Sequence, residues 1–259
     1  MKSILVLISW VFFLSGSAQE NYEIQVYGSP TMTKGQTMFE LHSNYTSNGN
    51  ADLINGILPS NHSIHETIEI THGISENFEL GFYLFTNYSP NYGWKIIGTH
   101  LRPRIAAPEK WKLPVGLSLS AEIGWQKQEY APETFSMELR PIIDKTIGKF
   151  YFCLNPTLGF AFIGNDINTT PTFAPNIKTS FAASSKCSVG LEYYGDLGPL
   201  NQFVKLPQQN HAIFAVADLY LDPKWEVNLG PGFGLTEATD KLVLKLIVGR
   251  RISWSKKHA

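Results

Sequence analysis

Little in this chain suits a soluble enzyme. Two cysteines in 259 residues leave no disulfide framework. Cys153 falls on the polar phase of its segment and Cys187 on the apolar phase of its own, so the pair points to opposite sides of a sheet and does not suit a bridge. A metal site needs more converging ligands than these two. Charged residues make up only 17 %, and a net charge of -1 offers no basic field to nucleic acid. Past the N-terminus no apolar run approaches the roughly 18 residues of a membrane helix. There is no phosphate-binding glycine loop and no dinucleotide fingerprint.

What is present is alternation. Val115, Leu117, Leu119, Ala121, Ile123 and Trp125 interleave with Gly116, Ser118, Ser120, Glu122 and Gly124. Phe150, Phe152, Leu154, Pro156, Leu158, Phe160 and Phe162 do the same with Tyr151, Cys153, Asn155, Thr157, Gly159 and Ala161. Period two means strand, with one apolar and one polar or small face. These runs exceed the usual soluble strand of about five or six residues and match the about 9–11 that a tilted strand needs to cross a bilayer. Spreading apolar residues over alternate positions also explains a mean hydropathy of only -0.09.

The N-terminus reads as a secretory signal over residues 1–18. Lys2 is its positive region, Ile4–Leu14 its apolar core, and Gly16-Ser17-Ala18 the small residues before cleavage. Gln19–Gly35 follows as a polar leader, assigned to the periplasm as an extension or a short plug. About twelve strands are predicted over 36–254, an even number as in single-chain bacterial barrels: Gln36–Tyr45, Ser63–His72, Phe78–Tyr88, Trp94–Ile105, Pro114–Gln128, Thr134–Asp144, Lys149–Phe162, Thr172–Ala183, Cys187–Asp196, His211–Leu221, Trp225–Leu235 and Lys241–Trp254. On Trp94–Ile105 both phases carry apolar residues, so its inward face stays unassigned. Thr46–His62 and Pro199–Asn210 read as long outer loops, Gly73–Asn77 and Asp222–Lys224 as tight periplasmic turns. Tyr45, Tyr88, Tyr92, Trp94, Trp125, Tyr130, Trp225 and Trp254 lie near strand ends, as interfacial girdles do. Gly249-Arg250-Arg251-Ile252-Ser253-Trp254 resembles the C-terminal signal read by the barrel assembly machinery, with Arg250 on the lipid phase and a tail at 255–259.

The fold class expected is therefore an all-β, antiparallel, up-and-down transmembrane barrel in the outer membrane of a Gram-negative bacterium, with outer-membrane lipids and the assembly machinery as partners. If the apolar phase faces lipid, the lumen-facing charges include Glu69, Arg102, Arg104, Glu122, Glu138, Arg140, Lys178, Glu192 and Lys245, with Glu40, Glu79 and Glu226 on the same phase. Both signs are interspersed, which predicts ion pairing in a low-dielectric interior. Either a packed ionic network or a selective constriction fits.

Enzyme signatures are incomplete. His65-Glu66-Thr67-Ile68-Glu69 lacks the second histidine of the zinc-protease motif, and on a strand His65 and Glu66 point apart. Ser47-Asn48-Gly49 is similar to a stretch near the serine of outer-membrane phospholipases. The histidine two residues before the serine is replaced by Tyr45, so no base activates it and a turn-rich loop is the expectation. No catalytic, cofactor or metal residue is assigned.

Several stretches carry a family resemblance. They are His65–Ile74 followed by Phe78–Gly81, Glu138–Lys145 with Asn155–Leu158, Gly190–Leu200, and Lys224–Gly230. Over about residues 36–254 the chain resembles uncharacterised bacterial outer-membrane barrels and is similar to the family labelled "MetA-pathway of phenol degradation" transporters. That resemblance implies a barrel that passes small molecules, hydrophobic or aromatic ones included, and supplies no catalytic residues. The function expected is passage or binding of a small-molecule solute. A closed structural or adhesion-type barrel acting through its loops is the alternative, and a membrane-embedded lipid hydrolase is a third reading.

Overall fold

The computed structural model describes residues 21–164, 167 and 170–253. The signal peptide, Gln19 and Glu20, residues 165, 166, 168 and 169, Trp254 and the tail at 255–259 lie outside them. Twelve strands run in order: β1 Gln36–Asn48, β2 Ile64–Ser75, β3 Phe78–Ser89, β4 Gly93–Ala106, β5 Gly116–Gln126, β6 Glu133–Ile147, β7 Phe150–Gly164, β8 Thr172–Ser184, β9 Cys187–Asp196, β10 Asn210–Asp222, β11 Trp225–Gly234 and β12 Leu242–Ser253. Each pairs with its neighbours in sequence, and β1 pairs with β12 from Gln36↔Ser253 to Asn48↔Leu242, closing the barrel. No edge remains unpaired, which is what an apolar solvent demands of a sheet. At one end the links are mostly tight, such as 76–77, 148–149, 185–186 and 223–224. At the other lie long loops, 49–63 and 197–209 among them.

The outer face is apolar. Phe39, Leu41, Ile68, Leu80, Phe82, Leu101, Leu119, Phe152, Leu191, Leu244 and Leu246 are exposed there, whereas alternate residues are buried inside. Exposed apolar groups in a continuous band mark a lipid-facing surface. Trp94, Trp125 and Trp225 also point outward. Arg250, on the lipid phase of β12, lies 5.1 Å over the Trp225 ring. Tyr130 departs from the girdle expectation: it packs inward against Tyr22, Tyr83, Phe85 and Ile97. Ser47 and Asn48, expected in a loop, belong to β1, because pairing with β12 extends that strand past Tyr45.

Two irregularities shape the wall. Phe85 pairs with Gly98 but Thr86 with Ile96, so Ile97 is an extra residue on β4. A bulge of this kind reverses which phase points inward. Trp94 and Ile96 face out on one side of it and Leu101 and Ile105 on the other, while Ile97 is buried. This is why β4 carried apolar residues on both phases. The second irregularity is a row of prolines. The β6–β7 ladder is interrupted between Leu139↔Leu158 and Ile143↔Leu154 with its register unchanged. Counting from the two-residue turn at 148–149, the three missing pairs centre on Pro141 opposite Pro156, and Pro156 in turn pairs with Pro175 on β8. Such a turn makes Ile147 and Phe150 a hydrogen-bonded pair, and so every second pair along the ladder, 141 with 156 included. Neither proline has an N–H, so two ladder bonds are missing at one place in the wall.

The leader lies inside the barrel. Of the two forms expected for it, a periplasmic extension or a plug, residues 21–34 take the second. Tyr22, Ile24, Val26 and Tyr27 are buried. Ile24, Val26 and Tyr27 pack against inward-facing Ile142, Tyr194, Phe214, Val216 and Val243, and Tyr22 against Tyr83 and Phe85. The segment starts near the long loops, where Asn21 reaches Asp240, and runs down to a turn closed by Gln36 N–H donating to Thr33 O at 2.9 Å. Gly35, at φ +76° in that turn, holds the position that needs a left-handed residue. Gly73 beside it admits no side chain: a Cβ there would lie 2.3 Å from Thr33 O.

Candidate functional site

The inward charges gather into three groups, each straddling neighbouring strands because i and i+2 share a face. In the first, Arg102 on β4 reaches Glu69 Oε1 on β2 at 2.6 Å and Glu79 Oε1 on β3 at 2.9 Å, and donates to the Tyr83 hydroxyl. Arg104 joins it through Glu79 at 2.8 Å. In the second, Arg140 on β6 contacts Glu138 at 2.6 Å, Glu23 of the leader at 3.2 Å and Glu122 on β5 at 3.9 Å. Glu122 takes its short contact, 2.7 Å, from His100 Nδ1. In the third, Glu192 on β9 is held by Lys178 at 3.0 Å and by Lys245, with Asp218 2.8 Å from Lys178. Of the nine charges assigned to the lumen from the sequence, Glu69, Arg102, Arg104, Glu122, Arg140, Lys178, Glu192 and Lys245 are buried, and Glu138 borders the cavity. Arg102 lies with Glu69 and Glu79, however, and not with the Glu122, Glu138 and Arg140 group on the next strands.

The leader ties these groups together. The Tyr27 ring sits between Arg102 Cζ, 4.9 Å from its centroid, and Arg140 Cζ at 5.1 Å. Tyr27 N–H donates to Asn155 Oδ1 at 2.8 Å, and Asn155 Nδ2 donates back to Tyr27 O at 3.0 Å. Ser29 N–H and hydroxyl donate to Asp144 at 2.7 and 2.8 Å. Arg104 donates to the Gly28 and Pro30 carbonyls, both at 2.9 Å, and Lys245 to Ile24 O at 2.9 Å. Asn44 donates to Asn21 O at 2.8 Å, Thr67 to Tyr22 O at 2.6 Å, and Met32 N–H to Glu79. The leader's backbone polar groups thus find partners on seven strands of the wall, β1–β4, β6, β7 and β12, as a segment buried away from water must. The sequence reading left a plug as one of two forms for a polar leader and named none of the residues that tie it to the wall. The signal was present: Tyr22, Ile24 and Val26 alternate with Glu23, Gln25 and Tyr27.

Above the leader, toward the long loops, lies a cavity of about 630 Å³. Tyr22 and Glu23 form its floor. Met137, Phe160, Tyr194 and Phe214 line its walls, and Ile54, Leu58 and Pro207 come from the loops. Carboxylates outnumber basic groups: Glu23, Glu133, Glu138, Asp196, Glu237 and Asp240 stand against Arg140 and Lys241. Arg140, Thr157, Ala174 and Asn176 line it too, so the cavity reaches the level of Pro141, Pro156 and Pro175.

A closed, twelve-stranded antiparallel barrel with an apolar outside and a charged inside is the architecture of outer-membrane channels and porins. Solved structures share it. The COG4313 outer membrane channel from Pseudomonas putida F1 superposes with a TM-score of 0.59 at 11 % identity, over 89 % of this chain and 100 % of that one. The NanC porin gives 0.54 at 7 % identity, over 82 % and 97 %. The KdgM porin gives 0.52 at 10 % identity, over 84 % and 99 %. No family model matches the chain, and no curated protein matches it. The protein thus has the closed, twelve-stranded β-barrel fold of these outer-membrane proteins.

Proposed function

We propose that this barrel takes up small molecules from the outer face into the cavity beside the long loops and passes those with apolar character into or across the membrane. The observation that carries this reading is the position of the leader. A segment pinned to the wall at both ends lies across the lumen below a cavity of about 630 Å³, which disfavours a wide aqueous pore and favours a binding chamber. The chamber mixes aromatic walls with carboxylates, the make-up of sites that hold organic solutes. Beside it, Pro141 and Pro156 leave two ladder bonds unmade, giving apolar solutes a weakened stretch of wall through which to leave sideways. Resemblance to the phenol-degradation pathway transporters points the same way, toward small aromatic compounds.

The test pairs two measurements on the purified barrel: single-channel conductance in a planar bilayer, and saturation-transfer NMR with phenol. Small conductance, with a phenol signal that vanishes in the cavity-filling variant Ala161→Trp, supports the chamber. Large steady conductance altered in an Arg102→Ala, Arg140→Ala double variant would replace it with an aqueous pore whose charges set passage. Neither conductance nor a phenol signal would favour the second reading, a closed barrel acting through its loops. The fully buried Arg102–Glu69–Glu79 group is what speaks for that reading.

A further inference from the structure

Glu40, His42 and Glu69 meet on the inner wall at the short-turn end. The register builds the cluster. Glu40 and His42 are i and i+2 on β1, and Glu69 on β2 is the direct partner of Glu40. One carboxylate oxygen or ring nitrogen from each lies within 4.8 Å of the others. Opposite Glu40 on β12 stands Gly249, where a Cβ would crowd the Glu40 side chain at 2.9 Å. The glycine leaves the carboxylate room to turn inward.

Two of these groups lack the partners that buried polar atoms usually have. The His42 imidazole is fully buried, yet neither ring nitrogen makes a hydrogen bond. Nε2 lies 3.3 Å from Glu69 Oε2 without hydrogen-bond geometry. The half-buried Glu40 carboxylate has no hydrogen bond or ion pair among the described residues. Glu69 is different: its Oε1 accepts from Arg102 at 2.6 Å and from Thr71 at 2.7 Å. Those contacts fix the carboxylate with Oε2 facing His42 and Glu40, where its one hydrogen bond is a long one of 3.4 Å from the Tyr27 hydroxyl. Carboxylates bound to metals are commonly held in this way, one oxygen by outer partners and one free for the ion. Charge agrees. Glu40, Glu69 and Glu79 face Arg102 and Arg104, three carboxylates against two guanidinium groups.

We propose that Glu40, His42 and Glu69 form a binding site for a divalent transition metal ion of the zinc type. One nitrogen and two carboxylate oxygens are a ligand set zinc accepts, with a fourth position left for water. Bonds of about 2.1 Å set tetrahedral ligands about 3.4 Å apart, so the site needs closing by rotation of the free Glu40 side chain alone. The ion site is independent of what the cavity above binds.

The experiment uses the full barrel purified from outer membranes, stripped with chelator, equilibrated with Zn2+ and freed of loose ion by gel filtration. Elemental analysis should count one zinc per chain, and Co2+ in its place should give the visible bands of a low-coordinate site. Glu40→Gln, which breaks no interaction that holds the fold, should weaken zinc binding by about tenfold or more. His42→Gln should abolish the cobalt bands, with the folded barrel checked by its heat-dependent gel shift. A stripped protein that takes up no zinc overturns the proposal. So does equal uptake by wild type and both folded variants, which would assign the ion to exposed histidines such as His62 and His72.

Discussion

Arg102 and Arg140 occupy the same inward phase of the wall, yet their surroundings differ. Arg102 lies toward the short turns, with two carboxylates, a phenol and the Tyr27 ring around it, and its side chain is 2 % exposed. Arg140 borders the cavity and pairs with Glu138, whose side chain is 37 % exposed. One half of the barrel is filled, by charge pairs and by the leader, and the other half is hollow. The comparison separates what the two halves do. Dry ion pairs are costly to form and costlier to break, so they serve to hold the leader. Glu138, the exposed member of the Arg140 group, contributes less to stability and is available to a solute in the cavity.

The sharpest way to break this comparison is to remove each arginine in turn. Arg102→Met leaves Glu69 buried without its arginine and Glu79 with Arg104 alone, and should cost about 3–5 kcal/mol. Arg140→Met should cost less, about 1–3 kcal/mol, since Glu138 keeps access to water. Denaturant unfolding of the barrel in lipid reads both, and equal losses would mean that the halves do not differ. Next in size is the leader. Changing Tyr22, Ile24 and Val26 together to serine should raise single-channel conductance several-fold by loosening the floor of the cavity, whereas unchanged conductance would deny that the leader closes the lumen. A smaller effect is expected from Glu133→Gln with Glu138→Gln. Current through the loosened variant should prefer cations, and reversal potentials in a salt gradient should move toward neutrality when these carboxylates go. The smallest concerns the wall. Pro156→Ala returns one N–H to the ladder, a gain of about 0.5–1.5 kcal/mol. Amide exchange of Thr157 and Ile142 should slow, and unaltered exchange would show that the ladder is not weakened there.

Much of the barrel was legible because lipid enforces alternation. Every strand was located to within a few residues, and the inward phase followed wherever the outer residues were plainly apolar, as on β5, β7 and β12. Where the period slipped, the reading stopped. The bulge at Ile97 changes phase in mid-strand, and nothing local in Trp94–Ile105 announces an extra residue. The inner aromatics Tyr83, Phe85 and Phe214 were hidden for a related reason. An interior that packs against a plug can be apolar, so apolar no longer means outward. Ser47 and Asn48 read as a loop on their own turn chemistry, and only pairing with β12 makes them strand. The Glu40–His42–Glu69 cluster needed the β1–β2 register, which two separate sequence segments do not declare.

The leader has one more consequence. Asn21 lies beside the long loops and Gly35 beside the short turns, so the chain enters its own barrel from the far side and returns along β1. A peptide fused ahead of Asn21 would therefore have to leave the lumen beside the long loops, at the end opposite the short turns.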